Sequence, residues 1–127
     1  MRPLSLVALA LAAATSAPAL AQDNWEQVGT RVINARAERD TLFVFGSDSH
    51  RQIRVCATGQ PLSLLTMQIV YANGDTQDLN PEIIVQPGQC TEAMDLTGRR
   101  RTMERIVITY MPIPEGAAAP RVRIDAQ

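Results

Sequence analysis

The chain has 127 residues, 46% hydrophobic, 20% charged and 4% aromatic; twelve cationic side chains, all Arg, face thirteen Asp and Glu, for a formal net charge of −1. That length holds one ordinary domain, and that balance excludes both a disordered polar chain and a nucleic-acid binder working through basic excess. One His and two Cys leave little material for a zinc centre or a His-based triad.

Arg2, the apolar run Leu4–Ala14 and the triplet Ala19-Leu20-Ala21 are the three parts of a secretory signal peptide. The pattern predicts cleavage between Ala21 and Gln22, so that residues 1–21 are a leader and 22–127 a single domain. The apolar run is shorter than the roughly 20 residues a bilayer requires, and it breaks at Pro18. No later segment approaches that length. The mature chain is therefore expected to be exported, in the periplasm or outside the cell, with no membrane span. Without Arg2 it keeps eleven Arg against thirteen acids.

The mature chain reads as strands and turns. Trp25 is expected to pack over one end of the core. Asn34–Asp40 has some helical character but is under two turns long, too short to hold as a helix, and reads as a loop. Leu42–Phe45 is a β-rich run. Ile53, Val55 and Ala57 alternate with Arg54, Cys56 and Thr58, and Leu65, Met67, Ile69 and Tyr71 alternate with more polar neighbours. Asn73-Gly74 suits a two-residue type I′ turn, folding Leu65–Ala72 back on a short, polar edge arm, Asp75–Leu79. Ile83–Val85 forms another run, and Met94 and Leu96 share a face. Ile106, Ile108 and Tyr110 share a face with which Met103 is out of step. Either Met103 faces the other way or a β-bulge sits near Glu104-Arg105. Val122 and Ile124 alternate with Arg121, Arg123 and Asp125. Period two with a turn every eight to twelve residues predicts an all-β fold. The expectation is an antiparallel two-sheet β-sandwich, jelly-roll-like or Greek key, of seven to nine short strands. Its expected core is Ile53, Val55, Leu65, Met67, Ile69, Ile83, Val85, Met94, Leu96, Ile106, Ile108, Tyr110, Val122 and Ile124.

Candidate chemistry is sparse. In an oxidising compartment, Cys56 and Cys90 are an even pair suited to a disulfide. Strand parity speaks against the bridge: Cys56 lies opposite the Ile53–Val55 face, while Cys90 shares a face with Met94 and Leu96. The alternative is two separate small core residues. Asp48-Ser49-His50 holds the residue types of a triad, but adjacent residues in a turn cannot converge, and His50 reads as a solvated loop residue. Asn73, Asp75 and Asp78 offer oxygens around a hairpin, too few for calcium, and read as turn chemistry. No metal site, catalytic residue or cofactor is assigned. Arg99, Arg100 and Arg101, with Arg105, are the one concentration of charge. Guanidinium groups suit carboxylates and phosphates, so this loop is the candidate site for an anion or acidic glycan. The bland reading is a solvated loop with one Arg paired to Asp95 or Glu104.

Trp25-x-x-Val28-Gly29, Ile53-Arg54-Val55, Val70-Tyr71-Ala72-Asn73-Gly74, Asp95-Leu96-Thr97-Gly98, Arg101-x-Met103-x-Arg105-Ile106 and Tyr110 occur in an order that resembles small exported bacterial proteins of domain-of-unknown-function family 2541. The resemblance spans roughly residues 25–125. It implies a compact β-sandwich of the bacterial envelope or periplasm and carries no activity or site residues. The chain departs from the family pattern at Met103, where a branched apolar residue is usual, and in its Cys pair.

Two main classes of function follow. The inventory favours a non-catalytic binding or interaction module for a protein, a glycan or a small ligand, without nucleic acid. The alternative is a small exported hydrolase, which would show converging carboxylates, or His50 with a partner, in a pocket. A further alternative is an envelope assembly or structural factor using an exposed edge strand. The sequence leaves the partner and the oligomeric state open.

Overall fold

The computed structural model describes residues 24–127; the expected leader, residues 1–21, lies outside them. Among the described residues there are eleven strands: β1 Glu26–Val32, β2 Arg39–Phe43, β3 Ser49–His50, β4 Gln52–Thr58, β5 Leu62–Tyr71, β6 Thr76–Leu79, β7 Ile83–Val85, β8 Gln89–Cys90, β9 Met94–Asp95, β10 Arg101–Tyr110 and β11 Arg121–Ala126. Among the described residues there is no helix. None is therefore long and apolar enough to cross a membrane. Asn34–Glu38 is a loop, as expected, held by an Asx turn in which the Asn34 side-chain carbonyl accepts from the Arg36 amide, but Arg39 and Asp40 already belong to β2.

The strands form two antiparallel sheets. One runs β1-β11-β4-β8, with β9 also on β4; the other runs β2-β10-β5-β6, with β7 on β5 and β3 on β10. β6 and β7 pair with successive stretches of β5, and β8 and β9 with successive stretches of β4. Each pair is one interrupted strand, which reduces the eleven strands, apart from the β3 stub, to eight. The chain crosses repeatedly between the sheets in the order of a jelly roll. β6 lies at a sheet edge, as its short polar sequence predicts.

The core fills the space between the sheets. Ile53, Val55, Ile69, Ile106, Ile108, Val122 and Ile124 are fully enclosed, each projecting inward at period two. Three bulges break that period. In β10, Met103 pairs with Tyr71 and Arg105 with Val70, so Glu104 is the extra residue; this is the bulge alternative, and Met103 joins the core. In β5, Thr109 faces Thr66 and Tyr110 faces Leu64, leaving Leu65 unpaired. Leu64 and Met67 both turn inward as a result, and Leu65, expected in the core, is only half-buried. In β1 the register shifts at Val28.

Three other core expectations are corrected. Ile83 is 44% exposed, because β7 is an edge segment with core on one side only. Met94 packs against the core but is half-buried. Trp25 lies outside the core cluster, half-buried, with the Arg54 guanidinium 4.5 Å from its ring centroid. The turn at Asn73-Gly74 also differs. Tyr71 and Asp75 close a three-residue loop in which the Gly74 amide donates to the Tyr71 carbonyl at 2.9 Å. Gly74 has a φ of 95°, and Asn73 is not in the positive-φ region. This is a type I turn with a glycine bulge, the common three-residue alternative to the I′ hairpin.

Cys56 and Cys90 form a disulfide directly across β4 and β8. The parity objection fails for a local reason. Between the Cys56–Cys90 and Ile53–Met94 pairs, β4 advances three residues while the opposing chain advances four. The extra residue turns Cys90 outward and still lets Met94 face inward. The disulfide belongs to a polar network on the outer face of its sheet, where buried Asp125 accepts from Arg54 at 3.0 Å and from Arg123 at 2.8 Å.

Candidate functional site

The start of β1, the end of β11, the start of β4 and the turns around β3 and after β9 meet at one end of the sandwich. They enclose an open groove of about 1330 Å³. Its frame is backbone. The amides of Arg51 and Gln52 donate to the Gln127 carbonyl at 2.7 and 3.0 Å, and the Leu96 amide donates to the Arg51 carbonyl at 2.8 Å. Leu96 and Ala126 are the apolar residues of the lining; the rest is polar, charged or glycine.

His50 sits in the wall of this groove rather than in a solvated loop. It is 5% exposed, because β3 pairs with the first residues of β10, His50 opposite Arg101. Its Nε2 donates to Oε1 of Glu26 at 2.9 Å. Its Nδ1 is enclosed and has no hydrogen-bond partner among the described residues. Ser49 precedes it, and successive strand side chains point to opposite faces. The Ser49 hydroxyl is taken by Arg100, whose Nε donates to Oγ at 2.9 Å and whose Nη2 donates to the Ser49 carbonyl at 2.6 Å. The turn Gly46-Ser47-Asp48 before β3 has no periodic apolar signal, so nothing local announces that His50 is buried. Its burial comes from a pairing with β10 some fifty residues away.

The four arginines of the expected anion loop do not act together. Arg99 and Arg100 line the groove. Arg99 makes no hydrogen bond or ion pair with another described residue. Arg101 turns away, stacks on Tyr71 and pairs with Asp75 Oδ2 at 2.9 Å. Arg105 pairs with Glu104 at 3.1 Å. Sequence reasoning missed Arg51, which lines the groove beside Arg99 and makes no side-chain bond to a described residue. Asp48, another lining residue, is likewise uncommitted, whereas Asp95 accepts from the Gln52 side chain at 2.8 Å.

Of the residues weighed for calcium, Asn73 and Asp75 are engaged, while Asp78 stands on β6 opposite Gln68 without a side-chain bond to a described residue. The guanidinium of Arg101 occupies the cation position, donating to Asn73 Oδ1 at 3.3 Å as well as to Asp75. Hydrogen bonding from Asn73, and then from Arg101, holds the Asp75 carboxyl below its ordinary value of 3.8. Cys56, Cys90 and Asp125 bring their ligand atoms within 4.8 Å of one another. The two sulfurs are bonded together, so neither offers a thiolate.

These features define a jelly-roll β-sandwich with a polar, charge-bearing groove at one end. The chain belongs to the family described as Domain of unknown function (DUF2541), whose model matches residues 4–124. No curated protein matches it significantly. Among solved structures it is similar to one from a structural and functional characterization of Pseudomonas aeruginosa AlgX, at 15% identity and a TM-score of 0.48. That match covers 79% of this chain and 26% of the other, so the chain spans about a quarter of that protein's length.

Proposed function

We propose that this protein is an exported, non-catalytic binding module whose ligand site is the end groove. The leader pattern at residues 1–21 and the Cys56–Cys90 bridge support export, since such bridges persist in oxidising compartments. One observation carries the non-catalytic part. The His and Ser of the groove are sunk in its wall or held, and of its carboxylates Glu26 and Asp95 are engaged, leaving Asp48 as the one uncommitted acid among the described lining residues, whereas the guanidinium groups of Arg51 and Arg99 stand open. The Nδ1 of His50 is enclosed, its Nε2 is engaged by Glu26, and the Ser49 hydroxyl is held by Arg100. A general base needs to reach the proton it removes.

The hydrolase reading has an observation of its own: His50 does have a carboxylate partner, and both line the groove. The edge-strand reading rests on β2, an edge strand whose Phe43 is 63% exposed. The chain just beyond it is tied down, because the Phe45 amide donates to the Val28 carbonyl of β1 at 2.7 Å. The test is a panel of saccharides and small acids incubated with the purified protein, with bound and free ligand analysed for chemical change. Retention of unaltered ligand, weakened by substitution at Arg99, is expected. Turnover that disappears in His50→Ala would replace the module with an enzyme.

A further inference from the structure

The lining of the groove restricts what it can hold. Its lining residues are mostly polar, with Leu96 and Ala126 as the apolar ones, so a peptide would find little to receive its apolar side chains. It offers donors and acceptors close together: the side-chain amide of Asn24, the carboxylate of Asp48 and guanidinium groups, while the Gln127 amide is engaged by Asn24 and Gln52. Such a mixture matches vicinal hydroxyl groups, each of which donates one hydrogen bond and accepts others. At about 1330 Å³ the groove exceeds the several hundred Å³ of an ordinary small-molecule pocket and suits an extended ligand.

Charge narrows the class further. Glu26 is engaged by His50, Asp95 by Gln52, and Arg100 by Ser49. Among the described residues this leaves two uncommitted guanidinium groups in the lining, Arg51 and Arg99, against one uncommitted carboxylate, Asp48. Guanidinium groups pair with carboxylates through two parallel hydrogen bonds.

Resting on the reading of the groove as a binding site, we infer that its ligand is an acidic saccharide, a chain of hydroxyl-rich units bearing carboxylates. Arg51 and Arg99 bind the carboxylates, and the Asn24 amide and Asp48 bind the hydroxyls.

The experiment measures binding of the purified protein to three probes by calorimetry: tetragalacturonate, neutral maltotetraose and a hexaglutamate peptide. Tetragalacturonate is expected to bind at least about tenfold more tightly than either of the others, as one or two charge-assisted bonds require. Arg51→Gln and Arg99→Gln should each weaken it about tenfold and leave maltotetraose binding unchanged. Both side chains lack partners among the described residues, so thermal melting should be the same in the variants. Binding should also weaken as salt rises. Equal affinity for maltotetraose, or unchanged affinity in the double variant, overturns the assignment. Binding of hexaglutamate alone, reduced by Arg99→Gln, overturns the saccharide and keeps the binding groove. Cleavage of tetragalacturonate keeps the ligand class and overturns the non-catalytic module.

Discussion

Arg101 lies over the ring of Tyr71, its guanidinium carbon 3.9 Å from the ring centroid, while its Nη2 reaches Asp75 across the hairpin. The sequence groups Arg101 with Arg99 and Arg100 as a run of free charge. The bulge at Glu104 and the pairing of Met103 with Tyr71 bring it against an aromatic face instead. The stack alone is worth about 0.5–1 kcal/mol. Arg101→Ala should lower the denaturation midpoint accordingly. Arg101→Lys should recover little, since an ammonium cannot reproduce a planar fork that stacks and bonds at once. Denaturant titration of both variants checks this.

The same contact gives an acid-side prediction. Asp75 has its carboxyl held below 3.8, chiefly by Asn73 and secondly by Arg101. The folded protein therefore binds this proton less readily than the unfolded chain. Its contribution is complete above 3.8 and is lost as the pH falls through the folded value. Asp75→Asn should be less stable than the wild type at pH 7, and the gap should close toward pH 3. A gap that persists in acid would show that the carboxylate charge is not what ties the hairpin to β10.

Gly74 closes the same hairpin at a φ of 95°, with open space where a Cβ would stand. The cost of Gly74→Ala is thus one of backbone conformation and not of collision, about 1 kcal/mol. For a domain of this size that is a fall in melting temperature of roughly 4–8 °C. Calorimetry of the variant measures it.

What could be read in the sequence and what could not divide along physical lines. Alternation made the inward faces of β4, β10 and β11 legible, because Ile53, Val55, Ile106, Ile108, Val122 and Ile124 repeat at the period of the pleat. Leu65 misled because a bulge adds a residue without marking the sequence, whereas the bulge at Glu104 was visible as the phase slip of Met103. Ile83 misled because an apolar side chain at an edge need not be covered. The groove was the least legible part. His50 and Arg51 are neighbours, but Glu26, Arg99 and Gln127 come from separate stretches, and only the β1–β11, β3–β10 and β4–β11 pairings bring them together. Composition singled out the arginines but not which of them would be engaged.

The Cys56–Cys90 bridge closes a loop whose ends are 34 residues apart in sequence. In the chain-entropy model such a loop is worth roughly 4 kcal/mol, and native bridges in small exported domains fall at 2–5 kcal/mol. Cys56→Ala with Cys90→Ala should lose stability in that range. Thiol titration of the denatured, unreduced protein should find no free thiol. The loss should exceed that of any surface substitution above, because the bridge restrains the unfolded chain while the others remove single contacts.

The alkaline limb should be set by Tyr110. Its hydroxyl donates to the Asn34 carbonyl at 2.9 Å at the end of β10, and the residue is almost wholly buried. Burial, and then the negative charge of Asp40, pushes its phenol from 10.0 up to about 12. The raised value means that the folded protein keeps this proton after the unfolded chain has lost it. The contribution to stability is therefore full below pH 10 and is lost as the pH rises toward 12. Tyr110→Phe removes the titrating group together with a hydrogen bond worth about 1 kcal/mol. At pH 8 the variant should be less stable than the wild type, and its stability should fall less steeply between pH 10 and 12. Parallel slopes in that interval would mean that Tyr110 ionises as readily folded as unfolded, and that the Asn34–Glu38 loop does not shield it.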